Sequence, residues 1–173
     1  MNFNLNKSIE ILERTPVTLH HLLYNISNEW TLKNEGYETW SVFDVIGHLI
    51  HGEKTDWIPR VKTILSNKPD KSFPLYDRNA QFIESKNKTI KQLLDEFVQL
   101  RKQNISYLIS KKISETDLNS KGIHTVFGEV TLAQLIATWM VHDLNHIAQI
   151  SRIMANQYKK EVGPWIEYLT ILK

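Results

Sequence analysis

The stretch from Leu132 to about Tyr158 constrains the fold more than any other. Its residues Leu132, Leu135, Trp139, His142, His146, Gln149 and Ile153 step by three and four, the spacing that holds side chains on one side of an α-helix and turns them toward neighbours in a bundle. Such a seam needs other amphipathic helices to cover it, and three are legible. The first is expected from Lys7 to Ile26, with Asn6 as its N-cap, Leu12, Leu19, Leu22, Leu23 and Ile26 on its apolar side, and Pro16 restarting or kinking it. The second opens at Trp40-Ser41-Val42-Phe43-Asp44, a serine cap with an acid three residues on, and should run to about Leu65 with a bend near Thr55 imposed by Pro59. The third, Thr89 to about Lys112, carries Ile90, Leu93, Leu94, Phe97, Leu100, Ile105 and Leu108 on one side and a charged, solvated surface on the other.

Between the second and third helices, Ser66 to Asn87 reads as a long crossover in which only Ala80 to Ser85 looks helical. Gly122 to Val130 alternates apolar and polar residues as a small hairpin would, and Thr131 caps the last long helix. A short helix should start at Gly163-Pro164-Trp165 and fold its aromatic residues back on the bundle. The expectation is one domain over residues 1–173: an all-α four-helix bundle with a long crossover and a short C-terminal helix.

A chain of 173 residues with 42% hydrophobic residues and a formal charge of 21 − 19 = +2 can bury its own core. The absence of cysteine excludes disulfides and thiolate sites, so any metal must be held by imidazole, carboxylate or water. No segment approaches the roughly 20 apolar residues of a membrane span. Met1 to Glu10 also lacks the basic and apolar runs of a leader, so the reading is a soluble, cytoplasmic protein with no membrane partner. The pI near 8.7 comes from dispersed lysines. Lys111-Lys112 and Lys159-Lys160 stand at expected helix ends, where cations complement the dipole, and no nucleic-acid partner is implied. No glycine-rich phosphate loop, nucleophile elbow or serine triad occurs at recognisable spacing.

Histidine carries the chemistry. Four residues turn a helix by about 400°, so His142 and His146 project from one side and can reach one ion. In the second helix Asp44, His48 and His51 fall within about 60° of one another. A third imidazole from that helix would leave an open coordination position, as catalytic sites do; the residues leave open whether it is His48 or His51. The competing reading is a metal-free polar core in which each ring bonds a protein oxygen. Asp44, Asp143 and Gln149 could orient ligating rings. Glu53 falls on the apolar arc, where it serves either as a general base or as the partner of an Arg or Lys. Of His20 and His21 at least one is solvated, His124 belongs to the hairpin, and Trp139, one turn before His142, could wall the site.

Trp40-Ser41, Gly47-His48-Leu49-Ile50, Glu53-Lys54, His142-Asp143-Leu144-Asn145-His146-Ile147 and Gly163-Pro164-Trp165, in this order over nearly the whole chain, resemble the DinB-like (YfiT-related, damage-inducible) family of metalloproteins. The resemblance implies an up-down-down-up bundle and a divalent-metal triad at His48, His142 and His146, with His51 a neighbour. Many relatives have histidine at the position of Asn145 and an acid at that of His51; neither departure removes a ligand. An all-imidazole set suits zinc or nickel, and also iron or copper. Characterised relatives include transferases and an isomerase that use low-molecular-weight bacterial thiols. The resemblance therefore implies a metal-dependent thiol S-transferase or a hydrolase acting on a small-molecule substrate, with a non-catalytic metal-binding or interaction bundle as the alternative. Phe97 and Leu100 on the third helix offer a face for a homodimer.

Overall fold

The computed structural model describes residues 2–173, so Met1 of the expected domain lies outside the described residues. Local chemistry sets where the helices begin. In α1 (Leu5–Leu23) the cap is Asn4, whose side chain accepts from the Lys7 N–H at 3.0 Å, two residues ahead of the expected Asn6. Reciprocal capping boxes start α3 (Val42–Thr55), α6 (Ile90–Ser110) and α8 (Leu132–Asn156), formed by Ser41 with Asp44, Thr89 with Gln92 and Thr131 with Gln134. Shorter helices are α2 (Asn28–Leu32), α4 (Trp57–Ile64), α5 (Ala80–Glu84) and α7 (Glu115–Leu118). α2 and α7 are too short to show a period in the sequence. The hairpin is β1 (Lys121–His124) against β2 (Gly128–Thr131), antiparallel, with Lys121 opposite Thr131.

The two helical prolines act differently. Pro16 sits inside an unbroken α1. Lacking an N–H, it leaves the Leu12 carbonyl without its intrahelical donor, and Arg101 Nη1 donates to that carbonyl at 2.7 Å. Pro59 lies in the first turn of α4, where an N–H is not needed. The chain breaks at Asp56 (φ −111°, ψ −69°), so the expected single bent helix is two helices.

α1 and α3 each pack against both α6 and α8, closing a four-helix bundle whose consecutive long helices are not all neighbours. The crossover between α4 and α6 carries α5 against α3. Its first part lies against the hairpin, where the Phe73 N–H donates to the Ile123 carbonyl at 2.9 Å and the Ile123 N–H to the Lys71 carbonyl at 3.0 Å. Gly122 permits this approach, because a Cβ there would stand 2.5 Å from Phe73 Cε1 and 2.8 Å from Ile64 Cγ1.

The apolar interior divides in two. One cluster includes Leu12, Trp57, Ile105, Leu135 and Trp139; the other includes Leu19, Ile46, Ile50, Phe97 and Ile150. Between them runs a polar layer that every long helix crosses. Arg101 on α6, which the sequence did not single out, is 1% exposed. It donates to both Asp143 oxygens at 2.5 and 3.0 Å and to Glu53 Oε1 at 2.8 Å. The second Glu53 oxygen accepts from Asn104 Nδ2 at 2.9 Å, and Trp139 Nε1 donates to Oε1 at 3.0 Å.

Phe97 is fully buried and Leu100 half-buried against the core, so these two residues do not form an exposed apolar face. The C-terminal aromatics also differ from expectation. The C-terminal segment forms 3-10 turns, Gly163–Tyr168 and Thr170–Leu172. Near three residues per turn, Trp165 and Tyr168 fall on one side, and that side is solvent: they are 70% and 81% exposed while Leu172 is buried against the bundle. Among the described residues no helix is long and apolar enough to cross a membrane.

Replacing Arg101 by methionine keeps most of the volume but leaves Glu53 and Asp143 buried without their cation. Urea denaturation is expected to show a loss of about 3–5 kcal/mol; a loss below about 1 kcal/mol would mean the network carries no structural weight.

Candidate metal centre

α3 brings His48 to face His142 and His146 of α8. The Nε2 of His142 lies 3.0 Å from that of His48 and 3.1 Å from that of His146, and one nitrogen from each ring falls within 4.8 Å of the others. The outer nitrogens of two rings are engaged. His48 Nδ1 donates to Gln81 Oε1 at 3.0 Å and His146 Nδ1 to Gln149 Oε1 at 2.7 Å. Since an amide oxygen only accepts, both rings carry their proton on Nδ1 and turn an Nε2 lone pair inward. A single proton on His142 Nε2 can satisfy one of those lone pairs, not both. A cation at the point of convergence would satisfy all three. Ligand bonds of 2.0–2.1 Å in a tetrahedral site place nitrogens about 3.3 Å apart, close to the two separations at His142. The donor set therefore fits one transition-metal ion.

Burial prepares the rings for that role. Desolvation first, then the neighbouring imidazoles, lowers the His48 pKa to about 4 and that of His142 to about 3. At His146 burial also lowers the pKa, opposed by the Gln149 hydrogen bond and the Asp143 charge. All three are neutral at pH 7, the protonation state a ligand requires. His142 Nδ1 is buried without a hydrogen-bond partner, in a ring that meets Trp57 edge-on at 5.1 Å.

His51 is buried, but its Nδ1 donates to Glu84 Oε1 at 3.0 Å, its Nε2 faces Thr55 Oγ1 at 3.3 Å, and its ring packs 5.0 Å from Tyr76. Of the two α3 imidazoles, His48 is thus the one that meets the α8 pair. Asp44 is occupied in the Ser41 capping box, and Glu53 and Asp143 are occupied by Arg101; each of the three is committed away from the ring nitrogens. Gln149 contacts His146. Trp139 stacks on Trp57 with its N–H on Glu53, and Trp57 rather than Trp139 walls the site. His20 lies 3.6 Å from Asp95, and His21 is exposed.

A cavity of about 600 Å3 opens from His48 and His142, bounded by Trp40, Trp57 and Tyr76 on one side and by the hairpin residues His124 to Phe127 on the other. Trp40 packs 4.9 Å from the His48 ring, and the Tyr76 hydroxyl lies 3.2 Å from His48 Nδ1. Burial and the Asp56 charge push the Tyr76 pKa up, so the phenol stays protonated. Gln81, Tyr76 and Trp57 were not picked out by sequence as site residues, and Trp40 entered only with the Trp40-Ser41 motif. The short helical patch at Ala80 to Ser85 says nothing of which ring Gln81 meets.

The fold is a helical bundle in which three imidazoles converge, two of them lining an open cavity, a donor set that could hold a metal ion. The DinB superfamily model matches residues 11–150, and the chain belongs to that superfamily. Among solved structures it is similar to YfiT from Bacillus subtilis, with a TM-score of 0.72 and 18% identity over 85% of this chain and 83% of that one. That protein is described as a "probable metal-dependent hydrolase with an unusual four-helix bundle topology". At this identity the likeness establishes the fold. No curated protein matches the chain.

Because the fold keeps these rings neutral while exposed imidazoles titrate near 6.5, the unfolded chain takes up protons that the folded chain refuses as pH falls. Stability of metal-free protein is therefore expected to drop by about 2–4 kcal/mol from pH 7 to pH 5 in urea titrations, and by less in a His142→Leu variant. A pH-independent midpoint over that range would show that the rings are not held neutral.

Proposed function

We propose that the protein is a metal-dependent enzyme, most simply a hydrolase, in which His48, His142 and His146 hold one divalent transition ion, zinc or nickel. The convergence of three Nε2 atoms, two with their Nδ1 protons engaged by glutamine oxygens, carries this reading. When bound, such an ion supplies a Lewis acid that polarises a substrate and lowers the pKa of water or a thiol beside it.

The chain's own residues do the rest. Gln81 and Gln149 fix the tautomers and ring orientations, which is how groups behind metal ligands usually act. Trp40 and Trp57 exclude bulk water from one side of the imidazoles, and the cavity admits a substrate to the other. That opening favours catalysis over a purely structural ion, since structural sites are closed by a fourth protein ligand. The description of YfiT as a metal-dependent hydrolase supports hydrolysis. Transfer of a low-molecular-weight thiol uses the same site and becomes the better reading if a thiol, and not water, is consumed.

Elemental analysis of untagged protein purified without added metal should find about one zinc or nickel per chain. His48→Ala, His142→Ala and His146→Ala should each lose it, whereas His51→Ala and His20→Ala should keep it. Full occupancy in His142→Ala would remove the triad, and loss in His51→Ala with retention in His48→Ala would exchange the α3 ligand.

A further inference from the structure

The walls of the cavity specify what it accepts. Trp57, Phe73, Val130 and Leu135 make its interior apolar, while Leu75, Val126 and Phe127 at the same cavity are 84%, 77% and 76% exposed. Large apolar side chains held in that state around a concave site are suited to an apolar ligand.

Charge is present as well, and it does not balance. Asp56, Arg60 and Arg78 all line the cavity. Arg60 is committed, since its guanidinium pairs with Asp56 at 2.5 Å and lies 5.1 Å over the Phe73 ring. Among the described residues the arginine ion pairs involve Arg60, Arg101 and Arg152, which leaves Arg78 without a carboxylate partner. A third donor stands in the hairpin. His124 Nδ1 accepts the backbone N–H groups of Val126 and Phe127 at 3.1 and 3.3 Å, so its ring proton is on Nε2. An exposed guanidinium without a carboxylate partner and an imidazole N–H, both lining one aromatic cavity, match a carboxylate or phosphate attached to an apolar body.

We propose that the cavity binds an amphipathic organic anion, its ring-sized apolar part against Trp57 and Phe127 and its anionic group at Arg78 with His124 as a further donor. This names the substrate class of the site assigned above, and for its reaction it rests on that reading. The selection of anions belongs to Arg78 and is independent of any ion.

Calorimetric titration of the full-length protein, metal-stripped and metal-loaded, with four probes of one size tests this. The probes are 2-naphthoate, 2-naphthyl phosphate, neutral 2-naphthalenemethanol and cationic 2-naphthylmethylamine. At least one of the two anions should bind about tenfold more tightly than the alcohol, and the amine more weakly than the alcohol, in both metal states. Which anion is preferred separates a carboxylate substrate from a phosphate one. Arg78→Gln should abolish the preference while leaving the alcohol's affinity unchanged.

Equal binding of anions and alcohol, or a preference that survives Arg78→Gln, would overturn the proposal. So would a preference seen only with metal present, which would put the anion on the ion and leave the metal reading intact. Conversely, an Arg78-dependent preference in protein that binds no divalent ion would uphold the anion site and remove the metal reading.

Discussion

The structure depends on one buried cation. Arg101 collects a carbonyl from α1, a carboxylate from α3 and a second carboxylate from α8, so the four long helices share a single point of electrostatic registry. Apolar side chains alone would tolerate a helix sliding or turning by a residue, because leucines and isoleucines repack at modest cost. A guanidinium paired to two carboxylates in a dry interior does not, since moving any partner strands a charge. The Pro16 contribution is part of the same device: the proline removes one hydrogen bond from α1, and the carbonyl it frees accepts from Arg101 Nη1.

That registry sets the geometry of the imidazoles. Asp143 lies between His142 and His146 in α8, and Glu53 follows His48 in α3. Fixing the two carboxylates on one guanidinium fixes the rotation and height of both helices. The consequence is a set of three ring nitrogens within 4.8 Å, held neutral by burial and pointed by glutamines. The carboxylates give up direct contact with the rings to do this. The cavity has a separate origin: the break at Asp56, the crossover at Phe73 and the hairpin that Gly122 allows to approach it.

Much of this was legible in the chain. Three- and four-residue periodicity located the long helices, and capping residues located most of their starts, because both depend on local chemistry. His142 and His146 were legible for the same reason, as one helix places them together. His48 and His51 were not separable, since a helical wheel sets both beside the apolar arc. The structure distinguishes them through α5, where Gln81 meets one and Glu84 the other, and no local pattern encodes that contact. Glu53 announced the need for a cation by its position, and Arg101, four residues from both Phe97 and Ile105 and so on the apolar side of its helix, was the matching signal that no reading singled out. The C-terminal aromatics misled because hydrophobic type is weak evidence of burial in a short terminal segment.

In the proposed site His48, His142 and His146 hold a single ion. Crystals of the protein as isolated, measured on both sides of the zinc and nickel absorption edges, test it without recourse to any substrate. A single anomalous peak about 2.0–2.1 Å from all three Nε2 atoms, with its remaining coordination open to the cavity, is the expected result. Crystals diffracting well enough to show the three rings, with no peak between them even after soaking in zinc or nickel, or with a peak bound by His51 and Glu84 instead, would contradict it.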